Sequence, residues 1–300
     1  MTGVAFVKGH GTQNDFVLLP DPDGALELTP ARVRALCDRR RGLGADGVLR
    51  VVRTAAAGWD LGSPMPDAEW FMDYRNADGS VAEMCGNGAR VFVRYLASVG
   101  LVSNSDVVPL ATRGGIRRVW FSSDGELTVD MGAVRLGPPG VAMVGGRRYP
   151  GVSADAGNPH LVCITETPLA SLDLSTPPAF DAELFPYGVN IELVTPVIDG
   201  AVSMRVHERG VGETRSCGTG AVAVAGAVRG GRDGELLVHV LGGRVRIVLT
   251  GGDATLTGPA ELVASGELDA DWWLALDGRS GAAGETDRTA RALSATMAGT

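Results

Sequence analysis

The sequence has no long apolar run. No window approaches the ~20 apolar residues of a membrane-spanning helix, so no helical anchor is expected. Basic runs are missing too. The 27 lysines and arginines are outnumbered by 35 aspartates and glutamates, giving a formal net charge of −8. That balance disfavours nucleic acid and anionic membrane as partners. Only four histidines occur, none at ligand spacing from a cysteine, so no metal site is expected. The four cysteines, Cys37, Cys85, Cys163 and Cys217, include no Cys-x-x-Cys pair. The stretch Met1–Lys8 is too short for a secretory signal and lacks a preceding basic flank. The expected location is therefore cytoplasmic, where an even cysteine count is no disulfide signal.

What is present suits a folded, acidic protein acting on a small polar molecule. Hydrophobic residues make up 45% of 300, enough to bury the cores of two ordinary domains. Glycine is abundant, at 43 residues, and points to many turns and close backbone approaches.

Short strands alternate with a few helices. Val4–Lys8 and Phe16–Leu19 read as strands around a loop at 9–14, and Val48–Arg53 and Trp70–Arg75 as two more. Thr29 is placed to cap a helix that Pro30 opens and that runs to Arg40. A second helix is expected from Gly86 to about Ser98, closed by Gly100, and a third over Gly218–Val228. The third is built of small apolar residues and should be buried all round. Arg117–Phe121 and Glu126–Met131 form a hairpin around Ser122–Gly125. Further strands are expected at Leu161–Thr165, Val189–Thr195, Val202–His207, Leu236–Val240, Arg244–Leu249 and Ala254–Pro259. Trp272-Trp273-Leu274 should pack, and Arg279–Thr300 reads as a frayed tail.

A repeat runs beneath this pattern. Phe71–Asn76, a turn and Met84-Cys85-Gly-Asn-Gly-Ala89 match Ser203–Glu208, a turn and Ser216-Cys217-Gly-Thr-Gly-Ala221. The same 132 positions separate Asn76 from Glu208 and Cys85 from Cys217. Both copies read strand, polar residue, glycine-containing loop, cysteine, helix. A duplicated half-molecule accounts for this, and pseudo-twofold symmetry would bring the two cysteines face to face.

Facing cysteines at helix starts suit proton chemistry. Free N–H groups and the positive end of the helix dipole favour a thiolate. Two thiolates across a cleft repel, so one thiolate and one thiol are expected at rest. Such a pair can take a proton from one face of an α-carbon and return one to the other. The backbone donors at Gly86-Asn87-Gly88 and Gly218-Thr219-Gly220 could hold the carboxylate into which the negative charge spreads.

Several stretches now add up to a resemblance. His10–Phe16, Asn76–Gly79, Met84–Arg90, Gly157–His160, Val189-Asn190, Glu208–Thr214 and Cys217–Gly220 resemble the diaminopimelate epimerases, in the family's order and over nearly the whole chain to about residue 278. The resemblance implies interconversion of LL- and meso-diaminopimelate, on the route to lysine and cell-wall peptide, without pyridoxal phosphate or metal. It implies an α/β fold of the α+β type, with two pseudo-symmetric domains, each a mostly antiparallel sheet wrapped around a central helix, and a homodimer. The halves would be residues 1–130, carrying Cys85 and completed by 267–278, and 131–266, carrying Cys217, with 279–300 a flexible tail. Position by position it makes Cys85 and Cys217 the acid/base pair. Asn14, Asn76, Asn158, Asn190 and Arg209 would hold the substrate, chiefly its distal end. Gly86-Asn87 and Gly218-Thr219 would grip the reacting carboxylate, and His160 and Glu208 would orient the reacting amine and tune the thiols. One departure stands out: some relatives carry an amide side chain where this chain has Gly47, so Gly47 is left out of the site.

Blander readings compete. Cys37 and Cys163 sit among apolar neighbours and read as core. His160 alone could be structural, Asn14 and Asn76 could be turn residues, and Arg209 could be a solvated surface cation. Asn190 fits a turn less well, because it lies in an apolar strand. His10 and Glu213 read as structural. A proline or hydroxyproline racemase of the same architecture is the nearest rival, but that group typically has histidine where Asn87 stands. A non-catalytic protein with a reversible Cys85–Cys217 disulfide is the rival of another class, disfavoured by the glycines after both cysteines.

Overall fold

The computed structural model describes residues 3–58 and 65–278. Its strands fall into two series with one order of pairing. In the first, Val4–Gly11 is antiparallel to Asn14–Pro20, which is parallel to Gly47–Arg53. That strand is antiparallel to Trp70–Asn76, itself parallel to Val107–Thr112, after which Gly115–Phe121 and Leu127–Ala133 follow antiparallel. Arg147–Asp155, Pro159–Ile164, Asn190–Val194, Ala201–Glu208, Gly234–Val240, Gly243–Thr250 and Asp253–Gly258 repeat that order pairing for pairing. The fold is thus the expected pseudo-symmetric α+β arrangement.

One further strand flanks each series. Arg135–Val144 lies beside Arg147–Asp155, and Glu261–Leu268 lies beside Val4–Gly11, so the chain returns to its first half from Glu261 onward. The last strands of the two series pair with each other, Leu127–Ala133 against Asp253–Gly258. The hydroxyls of Thr128 and Thr257 meet across this seam at 2.8 Å.

Parallel neighbours cannot be joined by a tight turn, so the chain must cross over between them. Helix α1 (Pro30–Cys37) lies in the first such crossover. Helix α2 (Gly86–Ser98) joins Trp70–Asn76 to Val107–Thr112, and α3 (Gly218–Arg229) joins Ala201–Glu208 to Gly234–Val240. Each of the latter two is the axis round which its half is wrapped, and strands of both edges touch it. Val91, Phe92, Val93 and Leu96 of α2 are fully buried; truncating Phe92 to alanine would cost about 3–5 kcal/mol. Helix α3 is enclosed because its residues are small. A Cβ on Gly226 would stand 2.9 Å from the Val134 side chain.

The helix boundaries have local causes. Thr29 caps α1 by accepting from the Arg32 N–H at 3.3 Å. The helix stops at Cys37, short of Arg40, because Asp38 is extended and its carboxylate accepts from the N–H groups of Arg40 and Arg41 at 2.9 Å each. Helix α2 closes through Gly100 (φ 75°), with the Leu101 N–H reaching the Leu96 carbonyl at 2.9 Å.

Other expectations need correcting. The loop at 9–14 shrinks to a two-residue turn, Thr12-Gln13, with φ of 48° and 61°. The strands Val107–Thr112, Arg135–Val144, Arg147–Asp155 and Glu261–Leu268 were not expected, nor was helix α4 (Ala270–Gly278). Gly137-Pro138-Pro139-Gly140 reads as a breaker, yet a register shift between Leu136 and Pro139 absorbs it. In α4 Trp273 and Leu276 share one face and are buried, with the Arg32 guanidinium 4.5 Å from the Trp273 ring. Trp272 is half-buried, but Leu274 faces the other way and is 46% exposed, so that residue does not pack as expected. Residues 279–300 lie outside the described residues. No helix among the described residues is long and apolar enough to cross a membrane.

Candidate active site

Both repeated cysteines are helix caps. Cys85 precedes α2 in an extended conformation, and its Sγ accepts from the Gly88 N–H at 3.3 Å. Cys217 does the same for α3, accepting from the Gly220 N–H at 3.4 Å. Each follows the carboxyl end of a strand whose last residue is polar, Asn76 or Glu208. The two helix starts abut, since a Cβ on Gly218 would lie 3.7 Å from the Gly86 Cα. A side chain at 86 would also press on the Met131 sulfur, at 2.9 Å. At 218 a Cβ would make only ordinary contacts, so the tighter of the two positions is Gly86.

Around Cys85 a buried network crosses between the halves. The thiol reaches the Asn14 Oδ1 at 3.7 Å, and the Asn87 amide donates to the same oxygen at 3.2 Å. Asn14 in turn donates to Asp46 at 2.9 Å. Asn87 is 1% exposed. Its nitrogen also donates to the Ser216 carbonyl at 3.2 Å, while its Oδ1 accepts from Arg90 at 2.5 Å. Its side chain is therefore spent on the protein, leaving only its backbone N–H at the helix start. Thr12, in its strained turn, accepts from Arg90 at 3.2 Å and meets the Ser216 hydroxyl at 2.7 Å.

Around Cys217 the partners are acidic. Thr219 Oγ1 lies 3.5 Å from its sulfur, and the thiol hydrogen-bonds to the Glu208 carboxylate. Glu208 also accepts from the Thr214 hydroxyl. His160 is fully buried; its Nδ1 lies 2.7 Å from Glu192 and its Nε2 2.8 Å from Asn158. Asn190 accepts from the Arg209 N–H at 2.8 Å. Arg209 itself donates to the Tyr187 carbonyl at 2.9 Å, with its stem against Gly188 (φ 83°), where a Cβ would come within 2.8 Å. Asn76 is held in its turn by Ser80 at 3.0 Å, away from both thiols' hydrogen bonds.

Burial opposes the helix-start N–H groups at both thiols. Burial pushes the Cys85 thiol up to about 11, against the opposing pull of the Gly88 and Asn87 N–H groups and with the Glu208 charge adding to the rise. Burial also drives Cys217 well above its ordinary value, and Glu208 and Glu192 push the same way. Desolvation outweighs the helix-start N–H groups because it acts on the whole charge, whereas each donor offsets only part of it. Cys37 and Cys163 are buried core residues, as expected, both pushed up to about 12 chiefly by burial.

A family model described as diaminopimelate epimerase matches residues 6–137 and 152–263. The chain belongs to the diaminopimelate epimerase family. It is an isomerase of that family. The diaminopimelate epimerase of Rhodococcus opacus (strain B4) is 53% identical over 283 residues, which cover 89% of this chain and 98% of that protein. That of Thermobifida fusca (strain YX) is 55% identical over 267 residues, covering 88% and 97%. Among solved structures, a phenazine biosynthesis protein of the PhzF family from Bacillus anthracis superposes with a TM-score of 0.66 at 16% identity, covering 90% of this chain and all of the other. A hydroxyproline epimerase from Agrobacterium vitis, with trans-4-hydroxy-L-proline bound, gives 0.64 at 14%, covering 89% and 93%. At such identities the likeness is one of fold.

Several residues of this family member's site went unnoticed in the sequence. Glu192 had a signal: it is the one charge in the strand Asn190–Val194, whose five residues are all buried. Arg90 stands similarly among the buried residues of α2. Thr12, Asp46, Thr214 and Ser216 had none, because their partners are distant in the chain or ordinary turn neighbours. Gly47, left out of the site, has no room for a side chain: a Cβ there would lie 2.6 Å from the Arg75 carbonyl.

Proposed function

We propose that the chain interconverts LL- and meso-2,6-diaminopimelate by a two-base inversion with Cys85 and Cys217 on opposite faces of one α-carbon. The observation that carries this reading is the pair of repeated cysteines, each capping a helix, with the two helix starts in contact. One thiol first loses its proton to solvent. The substrate's α-ammonium supplies the nearby positive charge that burial otherwise denies a thiolate. That thiolate takes the Cα proton as the electron pair of the C–H bond moves into the carboxylate, held by the N–H groups of Gly86-Asn87 and Gly218-Thr219. The opposite thiol then delivers its own proton to the other face. The net change is one inverted carbon, and a proton has moved from one sulfur to the other.

The remaining residues serve the two ends of the substrate. Glu208, beside Cys217, faces the reacting amine, and burial raises its own carboxyl, with the Thr214 and Cys217 hydrogen bonds opposing. His160 serves this end too, orienting the reacting amine and tuning the thiols with Glu208. Asn14, Asn76, Asn158, Asn190 and Arg209 form the set for the distal amino-acid group, where a guanidinium pairs with a carboxylate. The half of Cys85 comprises residues 1–130 completed by 267–278, and that of Cys217 comprises 131–266, with the pairing of Glu261–Leu268 to Val4–Gly11 favouring an earlier return to the first half. A homodimer in the cytoplasm is the expected setting, and sedimentation of the purified protein tests the dimer. The rival racemase reading is disfavoured at Asn87, a buried side chain bonded at both amide atoms where that group would place a histidine.

The test is incubation of the reduced protein with LL-diaminopimelate in heavy water. Deuterium should enter one Cα as the meso form appears, and neither Cys85→Ala nor Cys217→Ala should support inversion. Exchange into proline instead of diaminopimelate, or full activity in either variant, would refute the proposal.

A further inference from the structure

Glu192 is fully buried, and only half of its carboxylate is accounted for. Its Oε1 lies 2.7 Å from His160 Nδ1, while its Oε2 has no hydrogen-bond partner among the described residues. A buried carboxylate in this condition is costly unless a positive charge faces it. His160 is the group that can supply one. It is also fully buried, and both its ring nitrogens face oxygen, the second being the Asn158 Oδ1 at 2.8 Å. With Glu192 ionised, a neutral imidazole, having one N–H and one lone pair, would set a lone pair against one of the two oxygens. With both nitrogens protonated, both contacts are hydrogen bonds.

The strand register makes this meeting unavoidable. Pro159–Ile164 runs parallel to Asn190–Val194 with His160 opposite Asn190. Asn190 and Glu192 are two apart on one strand and so project to the same face. Glu208 is the other carboxylate whose interaction with His160 counts. Asn158's amide nitrogen carries no hydrogen bond to a described residue. Glu192 Oε1 also sits 2.7 Å from where a Cβ on Gly220 would stand, so it packs directly against the first turn of α3.

We propose that Glu192 is a positioning residue: its charge keeps His160 as an imidazolium, whose Nε2–H holds the Asn158 carbonyl oxygen and so turns the Asn158 N–H donors toward a substrate carboxylate. The second step rests on the assignment of Asn158 to the substrate, made above. Without the charge on Glu192 the imidazolium loses its counter-ion, Nε2 becomes an acceptor, and the Asn158 amide turns over to present its oxygen to the substrate. Glutamine fills the same space, so Glu192→Gln isolates charge from packing.

The experiment combines two measurements on the full chain. In protein labelled with nitrogen-15 at histidine, with the His160 signals assigned from a His160→Gln variant, both His160 nitrogens should resonate as N–H at neutral pH. In Glu192→Gln one of them should become a lone-pair nitrogen. Steady-state kinetics should show KM for diaminopimelate raised about tenfold or more, as expected for a lost hydrogen bond to a charged group, with a smaller change in kcat. A neutral His160 in the unaltered protein overturns the inference, and that measurement stands even if the variant does not fold. An unchanged KM in folded Glu192→Gln overturns it as well. If Asn158→Ala leaves KM unchanged, the assignment of Asn158 fails and the second step falls with it, while the spectrum still decides the charge on His160.

Discussion

Replacing Asn87 by alanine separates a structural role from a substrate role at the start of α2. Its side chain spans the two halves of the molecule, accepting from the buried Arg90 and donating to Asn14 and Ser216. Arg90 is 0% exposed, and its Nε and Nη1 have no hydrogen-bond partner among the described residues. Burial lowers its guanidinium to about 10. Loss of Asn87 leaves this cation with the Thr12 hydroxyl as its remaining hydrogen bond. A charge-assisted bond is worth roughly 1.5–3 kcal/mol and each neutral one about 1 kcal/mol, so Asn87→Ala should cost about 3–5 kcal/mol. For a chain of this size that corresponds to roughly 6–10 °C in melting temperature. The assay is urea unfolding followed by tryptophan fluorescence, with KM measured on the same preparations. Arg90→Met, alone and combined with Asn87→Ala, completes a double-mutant cycle that should show coupling of about 1.5 kcal/mol or more. A cost below about 1 kcal/mol together with a raised KM would refute the reasoning and return the Asn87 side chain to the substrate.

Other perturbations follow from the same geometry. Alkylation of Cys85 should accelerate about tenfold per pH unit up to near its raised value of about 11, because only the thiolate reacts. Glu208→Gln should shift that profile to lower pH, and an unmoved profile would show that the carboxylate does not act on Cys85. Gly242→Ala would place a Cβ 1.8 Å from the Thr12 carbonyl and should cost more than about 3 kcal/mol; a wild-type urea midpoint would contradict it. Burial pushes the Asp15 carboxyl up, but hydrogen bonds from Arg39 (2.8 Å) and Lys8 (2.6 Å) outweigh this and hold it well below the usual carboxylate range. The stability it contributes is present above the unfolded-state value of about 4 and is lost as pH falls below it. Asp15→Asn should therefore flatten the acid limb of melting temperature against pH, and an equally steep limb would refute the pairing.

Much of the fold was legible because its signals are short-range. Thr29-Pro30 marks a helix start by capping and a fixed φ, and Ser122–Gly125 marks a turn, whatever surrounds them. The repeat around Cys85 and Cys217 was legible for a related reason. Each copy is a strand end, a turn and a helix cap within about a dozen residues, so duplication preserves it in the sequence. Strands interrupted by local breakers were lost, as at Pro138-Pro139. So was Glu261–Leu268, whose partner Val4–Gly11 lies at the other end of the chain.

Sequence by itself determined that two cysteines would stand at the starts of two equivalent helices, since that depends on neighbours along the chain. Only the tertiary structure decided the surroundings of those cysteines. Their charge depends on how much water the assembled halves exclude, and burial there outweighs the helix-start N–H groups. It also decided which polar groups stand behind them. Thr12 meets Ser216 across 204 positions, and Glu192 meets His160 across 32. Such pairs arise from strand register and helix packing, and no local pattern encodes them.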